Sequence, residues 1–122
     1  MAGQNRRAGR IYLKIDGALQ DAKGSFSYNL GYDKNDGIIG ADGVHGYKST
    51  VQVAYIEGVI TDRSTLNLAA LAQQDDITVT LDLANGKTIV LSEAWFAGEG
   101  TVTTEEAEIT VRWESSTPAQ EI

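Results

Sequence analysis

The sequence contains no cysteine, one histidine and one proline, and it has no long hydrophobic run. Without cysteine there is neither a disulfide framework nor a thiolate metal site, so a reducing cytoplasm is the expected place of synthesis. No apolar run approaches the roughly 20 residues that span a bilayer, and the charged N-terminus lacks the apolar segment of a signal peptide. We therefore expect no membrane anchor, and a single domain over all 122 residues.

Acidic residues outnumber basic ones, and the formal net charge of −7 argues against general binding to nucleic acid. The two ends of the chain differ in sign. Residues 1–23 hold five basic and two acidic groups, whereas residues 99–122 hold six acidic groups against Arg112 alone. Either both ends are solvated tails, or opposite ends of neighbouring copies attract each other, an arrangement that builds rings or filaments.

Alternating apolar and polar residues predict a mainly β fold. Two-residue periodicity predicts six strands, over residues 10–15, 25–30, 48–60, 76–83, 87–96 and 104–114. Asn85 and Gly86 predict a type I′ hairpin turn, and Asp62 or Ser64 is placed to cap a helix over residues 65–73. The expected architecture is a small β-sandwich or barrel with one flanking α-helix.

Three segments fall outside these elements. Residues 1–9 are expected to form a flexible N-terminal arm and residues 115–122 a C-terminal tail. Residues 31–47 are expected to form a long glycine-rich loop that nevertheless carries Ile38, Ile39 and Val44. These apolar side chains either fold back on the core of their own chain or are covered when copies assemble.

Catalytic and binding motifs are weak. Residues 40–49 lack the glycine that a phosphate-binding loop needs directly before its lysine, and a calcium loop counted from Asp33 fails at its sixth and twelfth positions. His45 is the single candidate base, while Glu106 and Glu108 share a strand face as a glycosidase pair would. We expect no enzyme activity, no cofactor and no metal.

The order of several segments resembles the tail tube proteins of contractile-tailed bacteriophages of the Mu-type group. The segments are MAGQNRRAGRIYLKIDG, GVHGYK, LNLAALAQQDDITVTLDLANGKTIVLSEAWFAGEG and AEITVRW. The resemblance implies a fold similar to that of the type VI secretion tube protein. It also implies six-membered rings whose inner sheets join into one β-barrel, stacked into a hollow tube that pierces the host envelope and conducts DNA.

The same resemblance implies partners and a place. The partners are further copies of the chain, the tail sheath protein, and the baseplate and tail terminator proteins. Double-stranded DNA passes through without specific binding, because carboxylates repel phosphate. The tube belongs to the virion and is assembled in the cytoplasm of the bacterial host.

Two sets of residues are assigned to this assembly. The lumen-lining set consists of Asp76, Asp82, Glu106, Glu108 and Glu114. The set for contacts between subunits or rings consists of Arg6, Arg7, Arg10, Ile38, Ile39 and Val44.

Three other functions remain open from the sequence. The first is the tube of a contractile bacteriocin-like particle that carries no DNA. The second is a monomeric β-sandwich module that binds sugar or calcium, with Asp33, Asn35, Asp36 and Asp42 as the acidic and amide groups. The third is an enzyme that depends on His45.

Overall fold

The computed structural model describes residues 11–64 and 66–122, and this part of the chain is mainly β. The strands are β1 (Tyr12–Ile15), β2 (Ala18–Gln20), β3 (Ala22–Asn29), β4 (Lys34–Gly40), β5 (Gly43–Thr50), β6 (Ala54–Thr61), β7 (Ile77–Asp82), β8 (Thr88–Phe96), β9 (Val102–Thr103), β10 (Glu108–Ser115) and β11 (Gln120–Glu121). The described residues include one helix, α1 (Leu68–Ala72), between β6 and β7. Within the described ranges, no helix is long and apolar enough to cross a membrane.

The main sheet is nearly closed into a barrel. Its strands follow the order β2-β1-β7-β8-β10-β6-β3, with β11 paired to β8 and β9 paired to β10. Strands β4 and β5 form a separate two-stranded sheet. The predicted fold class, mainly β with a barrel-like sheet and one helix, is confirmed.

Strand β8 makes the corner that lets one sheet curve around the core. Its first half pairs with β7 and β11, and its end pairs with β10. Three residues from Leu91 to Ala94 oppose two of β7, and Glu93 has a φ of 54°, which together define a β-bulge. The bulge keeps Leu91 and Ala94 both inside. Ser115 Oγ donates a 2.6 Å hydrogen bond to the carbonyl of Ser92 and fixes the corner.

The core lies inside the barrel and is built by the alternation that the sequence predicts in β1, β7 and β10. Trp113 is fully buried, and its ring meets that of Phe96 edge to face with centroids 5.9 Å apart. The Trp113 indole N–H donates to Gln74 Oε1 at 3.0 Å, so the buried polar atom has its partner. The other largest buried apolar side chains are Leu13, Ile56, Ile60, Val79, Leu81, Ile89, Leu91, Ile109 and Val111.

The single strand expected over residues 48–60 is wrong. Strand β5 ends at Thr50, and β6 begins only at Ala54. Val51 is exposed, whereas Ala54 and Ile56 are buried. The break is where the chain returns to the barrel, because Ala54 there packs directly on Gly31.

The helix is shorter than expected and starts later. Asn67, not Asp62 or Ser64, is the N-cap, since its side-chain oxygen accepts the Ala70 N–H at 3.1 Å. Thr65 lies outside the described residues. Leu71 is the buried residue of α1.

Two further boundaries differ from the predictions because of backbone conformation. At the β7–β8 turn, Gly86 has a φ of 94° and its N–H donates to the Leu83 carbonyl at 3.1 Å. Since Asn85 has no positive φ, this is a three-residue loop with glycine in the left-handed position and not a type I′ turn. Strand β10 starts at Glu108 because Ala107, with a φ of 52°, ends a turn.

The C-terminal segment is attached to the barrel. Strand β11 pairs with β8, and Ala119 is buried. The Ala119 N–H donates to the Leu30 carbonyl at 2.9 Å. The segment after β10 therefore covers the part of β8 that β10 does not reach.

Replacing Gly58 by alanine should lower the free energy of unfolding by about 1–3 kcal/mol, the usual cost of overpacking. A Cβ at Gly58 would lie 2.6 Å from the Phe26 ring, which occupies the space above this β6 residue. Gly37→Ala is the matched control, because a Cβ there meets nothing within 4 Å. Urea denaturation followed by tryptophan fluorescence measures both. Equal midpoints for the two variants would show that Phe26 does not pack on Gly58.

Candidate assembly interface

The chain leaves the barrel after β3 and returns at β6, and both crossing points are clamped. The Gly31 N–H donates to Asn29 Oδ1 at 2.8 Å, and Asn29 Nδ2 donates to Gln52 Oε1 at 3.4 Å. A Cβ on Gly31 would lie 2.7 Å from the Cβ of Ala54, so only glycine allows this close approach. The base of the segment between β3 and β6 is thus held on the barrel.

Between these clamps the expected irregular loop is instead a β-hairpin made of β4 and β5. Glycines supply its turn and its bulge: Gly43 has a φ of 138° and Gly46 a φ of 123°. The register shifts between Gly37 and Ile39, where β5 carries one extra residue. We call β4, β5 and their turn the hairpin.

One face of the hairpin is apolar and exposed. Ile39 lies directly opposite Val44, and Tyr47 lies opposite Gly37, two residues before Ile39 on the same face. Ile39 is 81% exposed, Val44 74% and Tyr47 66%. We call Ile39, Val44 and Tyr47 the apolar hairpin face. Sequence reasoning missed Tyr47, whose place becomes evident only with the register.

The other face of the hairpin is mostly polar. It carries Lys48 opposite Asp36, and Ile38, which is separated from its neighbour Ile39 by the alternation of the strand. At the tip, the His45 ring packs over Gly40 and its Nε2 contacts Asp42 Oδ1.

The exposure of the hairpin decides between the two interpretations of its apolar residues. Folding back on the core of the same chain is wrong, because Ile38, Ile39 and Val44 are all exposed. Cover by another copy stays a prediction. The basic residues predicted to join them, Arg6, Arg7 and Arg10, lie outside the described residues.

The five predicted lumen residues do not form one patch. Asp82 is opposite Thr88 at the start of β8, and Glu114 is opposite Trp95 near its end. Seven residues of strand, about 23 Å, separate these two positions.

Of the other three predicted lumen residues, only one lies on a strand. Glu108 begins β10, on the outward-facing side that it shares with Glu114. Asp76 precedes β7 with a φ of 54°, and Glu106 lies in the turn before β10.

Where the carboxylates do share a face, basic side chains neutralise most of them. Arg112 donates from Nη1 to Glu57 and from Nε to Glu114, both at 2.7 Å, and its guanidinium stacks on the Tyr55 ring at 4.0 Å. Lys23 pairs with Glu108 at 2.8 Å. Three carboxylates and two cations leave one net negative charge on the outer face of β3, β6 and β10.

These contacts shift pKa values in the direction that holds the charges. The hydrogen bond with Glu108 raises the pKa of Lys23, and the same bond lowers the pKa of Glu108. Partial burial of Arg112 opposes its charged form. Even so, hydrogen bonds to Glu114 and Glu57 raise the pKa of Arg112 above its usual value.

The residues considered for other chemistry are arranged differently. Asp42 contacts His45 at the hairpin tip, while Asp33 lies before β4. Across residues 11–64 and 66–122, no three histidine, aspartate or glutamate side chains are grouped to hold a metal ion. Residues 40–49 form the hairpin turn and most of β5, and the next described element is another strand.

Comparison with known proteins gives one match. A scan against protein-family models aligns residues 4–119 with the family described as phage tail tube protein. The alignment covers nearly the entire chain, including the hairpin and the barrel. A search of curated proteins returned no match.

Replacing Lys23 by methionine should raise the pKa of Glu108 back toward its ordinary value. Because that pKa is lowered in the folded chain, the pair stabilises the fold above the ordinary glutamate pKa, and this is lost as pH falls through the lowered value. NMR titration of the Glu108 carboxyl carbon measures the shift. Lys14→Met is the control, since Lys14 pairs with Asp82. An unchanged Glu108 titration in the Lys23 variant would contradict the pairing.

Proposed function

Because the chain belongs to the phage tail tube protein family, we propose that its copies close into rings that stack as the tube of a phage tail. Family membership makes the chain a structural protein of the virion, and the family is not an enzyme class. Six copies per ring and a contractile tail are the finer parts of the proposal, and the resemblance to the Mu-type group supports them. In such a tail the tube carries DNA out of the particle.

The apolar hairpin face is the observation that carries the proposal. The barrel buries its own core without the hairpin, and Ile39, Val44 and Tyr47 remain in water on the single chain. Burial returns about 25 cal/mol for each Å² of apolar surface removed from water. A second copy that covers this face would supply that free energy, so association is favoured exactly where the isolated chain is least satisfied.

Sheet edges support ring formation. The path of the main sheet ends at β2 on one side and at β3 on the other. Strand ends of a sheet offer backbone N–H and C=O groups for pairing with another chain. Joining the sheets of neighbouring copies in a ring would use such edges and leave none open.

For the lumen we propose the outer face of β3, β6 and β10, which includes Glu108 and Glu114. On this face the guanidinium of Arg112 is held by two carboxylates and the ammonium of Lys23 by one. Phosphate therefore meets no free cation there, and DNA can slide without the counterion release that holds it to basic surfaces. Asp82, on a distant part of β7, belongs to a different surface under this proposal.

The remaining partners follow from the tube. Its outer surface would contact the tail sheath protein, and its two ends would contact the baseplate and tail terminator proteins. Assembly would take place in the cytoplasm of the bacterial host.

Replacing Ile39 by aspartate should abolish polymer formation while leaving the monomer folded, because the side chain is exposed and makes no core contact. Sedimentation and negative-stain electron microscopy of concentrated protein measure assembly, and circular dichroism measures folding. Thr50→Asp is the matched control, since it adds the same charge to an exposed hairpin residue outside the apolar hairpin face.

Polymers of Ile39→Asp as long as those of the control would contradict the role of the apolar hairpin face. A wild-type chain that stays at 13.1 kDa at every concentration would instead favour the monomeric binding module.

A further inference from the structure

A groove lies between α1 and the turn that joins β1 to β2. Its volume is about 280 Å³. One wall is formed by Leu66, Ala70 and Leu71, and the other by Ile15 and Ala18. The polar residues that complete the lining are Asp16, Gln20, Asn67 and Gln74.

The hairpin of the same chain does not fill this groove. Strands β4 and β5 make their main contacts with each other, and none of the groove residues belongs to them. A single chain therefore presents two separate apolar features to solvent, one concave and one projecting. Since they are different patches, contact between them joins two copies head to tail and leaves each copy able to bind another.

Charges on the two features are complementary. Among the lysines and arginines of residues 11–64 and 66–122, Lys48 on the hairpin is the one without an ion-pair partner. At the groove, Asp16 and Asp75 form no ion pair within the same ranges; Asp16 lines it and Asp75 directly follows Gln74. Asp16 uses Oδ1 to accept the Thr78 N–H at 2.8 Å, so Oδ2 can accept from a partner.

We propose that the groove receives the hairpin tip of a second copy of this chain. Ile39 and Val44 contact the wall made by α1. Lys48, on the opposite hairpin face, lies toward the acidic groups Asp16 and Asp75. The inference rests on the proposed function, because it names the surface that covers the apolar hairpin face in the assembled tube.

Disulfide cross-linking tests this pairing directly, because the natural chain has no cysteine. One preparation carries Val44→Cys and a second carries Ala70→Cys with a small mass tag; both sites are exposed. The two are mixed, assembled and oxidised. A disulfide requires Cα atoms about 4.4–6.8 Å apart, so a bridge reports direct contact. The matched control replaces Ala70→Cys by Thr110→Cys, an exposed residue on the outer face of β10.

A mixed dimer with Ala70→Cys, absent with Thr110→Cys and absent below the concentration of assembly, is the expected result. If microscopy shows polymers but the two pairs cross-link equally, the groove is not the docking site, and the proposed tube function stands. If neither mixture forms polymers while the wild-type chain also remains monomeric, both the groove assignment and the proposed function are overturned.

Discussion

The barrel completes its core without the hairpin, and this constraint determines how the rest of the molecule can be used. Strand β8 bends at its bulge, pairs with β7 and β11 on one half and with β10 on the other, and so lets one sheet enclose Trp113 and its neighbours. No inward position is left for Ile39 or Val44. The hairpin is held at its base by Asn29 and Gly31 and projects from a body that is already packed.

Sequence patterns predicted the parts of the fold in which one strand face is buried. The alternation in β1, β7 and β10 was sufficient because each inward residue is apolar and each outward residue is polar. The hairpin could not be found in this way, since both of its faces are exposed and glycine interrupts the period. The start of α1 was missed for a local reason, namely that Asn67 competes successfully with Asp62 and Ser64 as the cap.

The candidate site was predicted only in outline. Ile39 and Val44 were expected at an interface and do share a face, but Ile38 lies on the opposite face and Tyr47 replaces it. A strand register that includes a bulge cannot be read from residue types alone. The acidic residues were expected to repel DNA as free carboxylates. Arg112 and Lys23 instead pair with them across strands, contacts that depend on which strands are neighbours.

Phage tail tube membership and an uncovered apolar hairpin face together make self-association the central claim. The most direct measurement is negative-stain electron microscopy of the purified wild-type chain over a range of concentrations, with its mass followed by sedimentation. The account predicts rings and hollow tubes of uniform diameter above a threshold concentration. A monodisperse species of 13.1 kDa at every concentration, ionic strength and pH would contradict it.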